Sequence, residues 1–289
     1  MNSKSVLVPF IISLFLWPIA FVLTISLGGA DAARALTSQA LFSATVLAEI
    51  VALSQIAQAR KLFSRSDHGY LTWTLILVFL VIRLLAEARL MTLNFRLVPA
   101  YKDNPSDLIF FYRFVLRYLY TVSDVMFIGA LITTIRSYKS TGLKFELMKQ
   151  DYLYMLLLWA MPIITFIFRE NLFSAAAGND PYIPTYRLVA VTVGAVIASL
   201  CIAVRRYAFQ MGGGAVARVW NMVVIAGIAR DASFLVLALL TAWSEAGAQF
   251  AEQYLLWIFT GCWLLAAIYQ REVIPRARTS KTGSYAAIT

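Results

Sequence analysis

The chain has 289 residues, of which 61% are hydrophobic and only 14% are charged, and its formal net charge is +10. A soluble globular domain contains about 45–50% apolar and about 25% charged residues, so this composition excludes a water-soluble domain and a disordered chain. It also excludes a nucleic-acid-binding module, whose basic residues would lie on a polar surface. We therefore predict a multi-pass membrane protein that is embedded in the lipid bilayer and has no nucleic-acid partner.

Eight segments are long and apolar enough to cross the hydrocarbon core of a bilayer as helices, which takes about 20 residues each. In chain order they are 5–27, 37–58, 70–94, 109–135, 152–169, 185–204, 217–242 and 250–270. None of them shows the alternation of a barrel strand, and the gaps are too short for a soluble domain. The sequence predicts an all-α, polytopic membrane helical bundle of seven to eight transmembrane helices over 1–270, followed by a polar cytoplasmic tail over 271–289.

The first segment has two interpretations. Lys4, a long apolar run and the small residues 28–32 resemble a signal peptide with its cleavage site. The apolar core of a signal peptide usually has about 7–15 residues, whereas this run covers 5–27 and suits a retained anchor better. Retention gives eight helices, and cleavage would leave seven with the N-terminus outside.

Basic residues are distributed unevenly between the two sides of the predicted bundle. One alternate set of connections, together with the two ends of the chain, holds fifteen Lys and Arg, and the other set holds five. Because short cytoplasmic loops carry the excess of basic residues, this difference predicts a cytoplasmic C-terminus. We expect the protein in the endoplasmic reticulum or another endomembrane.

Ionisable side chains also lie inside the predicted helices, where each costs at least about 2.5–3.5 kcal/mol to insert, so their default interpretation is functional. They are Glu49, Arg83, Glu87, Arg89, Arg113, Arg117, Asp124, Arg169, Glu170, Arg230 and Asp231. With the orientation above, all of them lie between the midplane and the non-cytoplasmic side. Their common depth predicts a single cluster.

The spacing of these residues indicates which of them share a helix face. Arg83 and Glu87 are four residues apart and therefore lie on one face. The fourth segment carries a stripe with steps of four, three and four residues, made of Arg113, Arg117, Tyr120 and Asp124. Such pairs could simply hold helices together in an apolar solvent. Buried ion pairs contribute little net stability, however, and six embedded arginines are more than helix association requires.

Several kinds of membrane chemistry lack the residues that they need. All seven lysines lie outside the predicted helices, which excludes a retinal Schiff base inside the bundle. The single histidine, His68, lies in a predicted loop, so neither a bis-histidine haem nor a zinc site of His and carboxylates has its ligands. We expect no metal and no cofactor, which leaves acid–base chemistry by carboxyls, ligand binding or transport.

One hypothesis is an enzyme that cyclises an isoprenoid, a lipophilic small-molecule substrate. Cyclisation needs a Brønsted acid in apolar surroundings and aromatic faces near the carbocation, such as Phe110, Phe111, Tyr112 and Tyr118 beside the stripe. A buried carboxyl that no arginine claims keeps its proton most readily. The catalytic candidates are therefore Glu49 and Asp124, followed by Asp231 and Glu87. The substrate-binding candidates are Arg83, Arg113, Arg117, Tyr120 and Arg230.

The chain resembles the small membrane-bound terpene cyclases of fungal meroterpenoid biosynthesis in size, in its short loops and in its intramembrane acids. The residues that resemble those enzymes are Glu49, Asp124 and Asp231, because they are acids at a similar depth in the predicted membrane helices. It implies an acid-catalysed, metal-independent cyclisation of a prenylated olefin or epoxide in secondary metabolism.

A second resemblance implies an alternative function. Residues 168–173 (FRENLF) and 228–231 (IARD) look like the arginine–acid helix ends of fungal RTA1-like seven-span proteins. That family implies a receptor or a lipid or drug transporter, which would bind an amphipathic ligand in the outer half of the bundle. A third hypothesis is a structural or assembly subunit whose ion pairs join helices without catalysis.

Overall fold

The computed structural model describes residues 2–94, 107–140, 142, 146–167, 183–210, 214–240 and 244–285. Within these ranges the chain forms α-helices and no strand, so the predicted all-α class is confirmed. The helices are α1 (Ser3–Ala35), α2 (Phe42–Arg60), α3 (His68–Asn94), α4 (Asp107–Ser140), α5 (Lys149–Ile167), α6 (Ile183–Gln210), α7 (Gly214–Leu240) and α8 (Glu245–Tyr285). A π-helical turn, Leu36–Leu41, joins α1 to α2.

Within the described residues, six helical stretches are long and apolar enough to cross a membrane. They are Ser3–Arg60, His68–Glu87, Leu119–Ser140, Lys149–Ile167, Leu188–Gln210 and Ala246–Val273. The first stretch contains 58 residues and combines α1, the π-helical turn and α2. The helix α8 continues to Tyr285, so the predicted boundary at 270 is not the end of a helix.

The long stretch Ser3–Arg60 is a helical hairpin rather than one straight rod. At its beginning, the Ser3 backbone N–H donates to Glu272 of α8 at 2.8 Å, and farther along the Tyr254 hydroxyl donates to the Leu14 carbonyl at 2.8 Å. These contacts make α1 antiparallel to α8. Near the end of α2, Arg271 donates to Gln55, next to the contact made by Ser3. The chain therefore runs along α8 once in each direction.

The reversal occurs at Gly29, the residue of α1 whose backbone is not helical, with φ 74° and ψ −172°. This region of backbone conformation is essentially restricted to glycine, because a Cβ atom is strained there. No atom lies within 4 Å of the Cβ position, so backbone conformation rather than crowding selects glycine.

Replacing Gly29 by Ala is expected to lower the free energy of unfolding by about 1–3 kcal/mol, because alanine must adopt a strained conformation or shift the turn. Thermal unfolding of the purified protein in detergent measures the effect. Gly129→Ala is the matched control, since Gly129 lies within α4 and its new Cβ would meet Leu75 at an ordinary 3.6 Å. An equal loss in both variants would contradict this account of the turn.

The remaining neighbours also run in opposite directions. Hydroxyls of Thr72 and Thr134 lie 3.2 Å apart between the beginning of α3 and the end of α4. Trp159 of α5 donates to Ser199 of α6 at 3.2 Å, and Arg205 of α6 donates to Asn221 of α7 at 2.9 Å. As a result α1, α3, α5 and α7 begin at one end of the bundle. We call it the basic end, because its exposed cations include Lys4, Lys61, Arg65, Arg136, Lys139, Lys149 and Arg218.

Candidate functional site

The first part of the candidate site is an ion pair within α3. Arg83 and Glu87 lie one turn apart, and Nε of Arg83 is 3.0 Å from Oε1 of Glu87. Both side chains are buried, at 3% and 4% exposure. Arg83 is fifteen residues from the beginning of α3, which places it about 22 Å from the basic end. The pair thus lies deep in the bundle, as the sequence predicted for an intramembrane charge.

The second ion pair joins two helices. Nη2 of Arg230 on α7 donates to Oδ2 of Asp124 on α4 at 2.6 Å and lies 2.5 Å from Oδ1. These residues are 106 positions apart in the chain, and both side chains are buried. The prediction that no arginine claims Asp124 is therefore wrong. Its carboxylate is the counter-charge of Arg230, a pairing that depends on how α4 and α7 pack.

Glu49 has no such partner. It lies on α2 with 1% exposure, and neither carboxyl oxygen finds a hydrogen-bond partner among the described residues. The nearby charges that act on it are those of Glu87 and Arg83 on the neighbouring helix α3. The carboxyls of Glu49 on α2 and Glu87 on α3 thus both lie near the guanidinium of Arg83, which is already paired with Glu87.

Aromatic rings border this charged cluster. The guanidinium carbon of Arg83 lies 4.3 Å from the centroid of Phe259 and 5.7 Å from that of Tyr120. One helical turn toward the basic end, Phe79 stacks on Phe127 with centroids 4.9 Å apart. Trp263 lies against both rings, at 5.8 Å and 5.3 Å.

These four rings, Phe79, Phe127, Phe259 and Trp263, form what we call the aromatic wall. All four are fully buried, and they come from α3, α4 and α8. The aromatic residues predicted beside the stripe lie at 110–118, and their side chains are outside the described residues. The spacing in the sequence does indicate that some of these side chains share a helix face. Phe79 precedes Arg83 by four residues, and Phe259 precedes Trp263 by four.

Six of the nine predicted site residues have described side chains and come together in this way. They are Glu49, Arg83, Glu87, Tyr120, Asp124 and Arg230. The side chains of the other three, Arg113, Arg117 and Asp231, lie outside the described residues, although the backbones of α4 and α7 include them. The motif at 168–173 also lies outside the described residues.

The cluster has a definite charge balance. Its described members carry three carboxyls and two guanidinium groups, so it has one excess negative charge when every group is ionised. A buried charge without a partner is very unfavourable away from water. One proton makes these described members neutral, and among them Glu49 is the carboxyl that makes no ion pair. In the described ranges, no three His, Cys, Asp or Glu side chains are placed to hold a metal ion.

Comparison with protein families, with curated proteins and with solved structures found no match for this chain. The assignment of a function therefore depends on the residues of the cluster and their geometry.

Proposed function

We propose that the chain is an integral membrane terpene cyclase in which the carboxylic acid of Glu49 is the proton donor and no metal takes part. The observation that carries the proposal is that this buried carboxyl lies beside the Glu87 carboxyl and makes no ion pair with a described cation. It is 1% exposed, and no described N–H group donates a hydrogen bond to it. Arg83, the arginine that acts on it, is already paired with Glu87, and the second arginine of the cluster, Arg230, is paired with Asp124. A protonated Glu49 leaves the cluster neutral and holds an acidic proton in apolar surroundings.

The proposed reaction is an isomerisation. Glu49 gives its proton to a terminal olefin carbon or to an epoxide oxygen, and the π bond or the C–O bond opens to leave a carbocation. A double bond farther along the isoprenoid attacks this cation and forms a C–C bond. The last cation loses a proton to the Glu49 carboxylate, which restores the acid. Substrate and product therefore contain the same atoms.

The surrounding side chains suit the other requirements of this chemistry. The faces of Phe259 and Tyr120, which already lie near the Arg83 guanidinium, can stabilise a passing cation by about 0.5–2 kcal/mol each. Nη1 of Arg83 is buried and has no hydrogen-bond partner among the described residues. It is a donor for an oxygen at the polar end of a prenylated substrate.

The experiment compares conversion of an epoxidised prenyl-phenol by membranes that contain the wild-type protein or Glu49→Gln. Glutamine keeps the shape of the side chain but cannot act as a carboxylic acid. We expect cyclic product from the wild type and a loss of about 10²–10⁴-fold in the variant, the usual contribution of a general acid. Glu146→Gln, which changes an exposed carboxyl before α5, is the matched control and should keep full activity. Equal conversion by wild type and Glu49→Gln would overturn the assignment.

A receptor or transporter for an amphipathic ligand is the second candidate. It is favoured by the way the cluster joins α2, α3, α4 and α7, since a proton arriving at Glu49 changes the charge balance between four helices. Under this function the wild type yields no cyclic product. Labelled lipid or drug would instead accumulate in vesicles under a pH gradient, and Glu49→Gln would abolish that accumulation.

The membrane arrangement that we propose has eight crossings. It is supported by the alternating directions of α1 to α8 and by the length of α7, whose 27 residues extend about 40 Å. The excess of cations at the basic end supports a cytoplasmic location for that end and for the C-terminal part of α8. We place the protein in the endoplasmic reticulum or a related endomembrane, where lipophilic intermediates dissolve. Protease protection of tags at each end of the chain tests this topology.

A further inference from the structure

A group of cations lies at the basic end, around the connection between α2 and α3 and the end of α4. Arg60 ends α2, Lys61 and Arg65 lie in the connection to α3, and Arg136 and Lys139 lie in the last turns of α4. The contact between Thr72 and Thr134 at 3.2 Å brings the beginning of α3 and the end of α4 side by side. We call these five residues the cationic patch.

The cationic patch is available to a ligand. Lys61, Arg65, Arg136 and Lys139 are all exposed. The nearest acid in the connection, Asp67, accepts a hydrogen bond from the Ser64 backbone N–H at 2.9 Å and so helps to shape the loop.

Arg60 supplies a second and independent observation. Its guanidinium lies 5.2 Å from the centroid of Tyr70, which holds the side chain over the beginning of α3. Its Nε atom is buried and finds no hydrogen-bond partner within the described ranges. A buried donor of this kind is normally satisfied by protein, water or ligand. The orientation of Arg60 is therefore fixed by packing while a donor atom stays unused.

Other cations at the same end differ from the patch because they bond to neighbouring helices. Arg206 forms an ion pair with Asp151 through both its Nε and Nη2 atoms, and Arg271 donates to Gln55. Arg205 donates to Asn221 at 2.9 Å. These contacts connect α5 to α6, α2 to α8 and α6 to α7. Among the described residues the one contact of this kind from the patch is that of Arg60 with the Tyr70 ring, so most of its charge is not used in packing.

We propose that the cationic patch binds the polyphosphate headgroup of an anionic phospholipid in the leaflet at the basic end. Its members lie at the ends of helices that are long and apolar enough to cross a membrane, and this places them at the depth of lipid headgroups. Five cations match a headgroup with several phosphates better than a singly charged lipid. Clusters of four to eight Lys and Arg next to transmembrane helices are typical of such recognition. The proposal does not depend on the reaction proposed for Glu49.

The test measures binding of a short-chain phosphatidylinositol bisphosphate to the full-length protein in phosphatidylcholine nanodiscs. Each basic residue near the surface contributes about 1 kcal/mol, a factor of about five in affinity. The double variant Lys61→Gln/Arg65→Gln is therefore expected to bind about 25-fold more weakly. The matched control is Lys4→Gln/Lys149→Gln, which removes the same charge from exposed positions on α1 and α5. These helices pack on α8 and α6 rather than on α3, so the control should bind within about twofold of wild type.

Three outcomes would overturn the proposal. Equal weakening in the two double variants would mean that total charge, and not this patch, attracts the lipid. Equal affinity for phosphatidylserine would contradict a polyphosphate headgroup. Displacement of the lipid by soluble inositol trisphosphate at the same concentration would assign the patch to a soluble ligand instead of a membrane lipid. Thermal unfolding of both double variants at the wild-type temperature shows that the comparison concerns folded protein.

Discussion

Replacing Asp124 by Asn is expected to lower the free energy of unfolding by about 3–5 kcal/mol. The substitution keeps the size of the side chain but removes the counter-charge that lies 2.6 Å from Nη2 of Arg230. The guanidinium then stays 1% exposed, in a part of the bundle where water cannot replace the lost partner. Thermal unfolding in detergent, followed by monodispersity on size exclusion, measures the loss.

Two further variants test whether the loss of stability comes from the broken ion pair or from any substitution in the cluster. Glu49→Gln should leave the free energy of unfolding within about 1 kcal/mol of wild type, because it breaks no ion pair in the described structure. The double variant Asp124→Leu/Arg230→Met should recover most of the stability, since apolar residues of similar volume can replace a buried pair. If Asp124→Asn unfolds at the wild-type temperature, the ion pair does not hold α4 against α7.

The helices of this protein could be predicted from the sequence because a single property decides them. A run of about 20 apolar residues must satisfy its backbone internally when it lies in lipid, and the helix does this without reference to any other segment. The segments 109–135 and 185–204 therefore correspond to α4 and α6, with differences of a few residues at their ends. The predicted boundary at 270 marks the fall in hydropathy and not the end of a helix. Hydropathy falls where the chain leaves the membrane, whereas the hydrogen-bonded helix α8 continues in polar surroundings.

The composition of the charged cluster was only partly predictable. The pairing of Arg83 with Glu87 follows from a spacing of four residues, because positions i and i+4 of one helix meet. The pairing of Asp124 with Arg230 depends on the packing of two helices that are distant in the chain. Periodicity in one segment carries no information on which partner helix lies opposite. For this reason Asp124 looked like a free acid, and among the candidate acids with described side chains Glu49 remains as one.

The aromatic wall was missed for the same physical reason. Phe79, Phe127 and Phe259 come from three helices, and each one alone is an ordinary apolar residue in an apolar segment. Their stacking is a property of the packed bundle. The richness of one helix in aromatic residues at 110–118 was the more visible signal, but it does not report which rings approach the charges.

Substitutions in the ion pairs and at the proposed catalytic residue should affect different properties of the protein, namely its stability and its activity. The ion pairs of Arg83 and Arg230 fix two guanidinium groups and contribute to stability once the helices are packed. Glu49 adds no ion pair, so its presence is not explained by helix association alone. A residue that costs free energy to bury and stabilises nothing nearby is typical of a functional group. Stability and activity should therefore separate between Asp124 and Glu49 when each is replaced by its amide.

Replacing Trp263 by Ala is expected to lower the free energy of unfolding by about 3–5 kcal/mol. Trp263 is among the largest fully buried side chains of the described structure, and its ring lies 5.3 Å from Phe127 and 5.8 Å from Phe79. Truncation leaves a cavity between α3, α4 and α8 that close-packed neighbours cannot fill without moving. The midpoint of thermal unfolding in detergent is the measurement.

Trp263→Phe separates packing from hydrogen bonding. The indole Nε1 is buried without a hydrogen-bond partner in the described part of the chain, so phenylalanine removes an unsatisfied donor and keeps most of the ring. Its cost should stay below about 1.5 kcal/mol. Trp159→Ala on α5 is the matched truncation at a side chain that is 42% exposed, and it should cost about 1 kcal/mol or less. A loss in Trp159→Ala as large as that in Trp263→Ala would show that the aromatic wall is not the centre of the packed bundle.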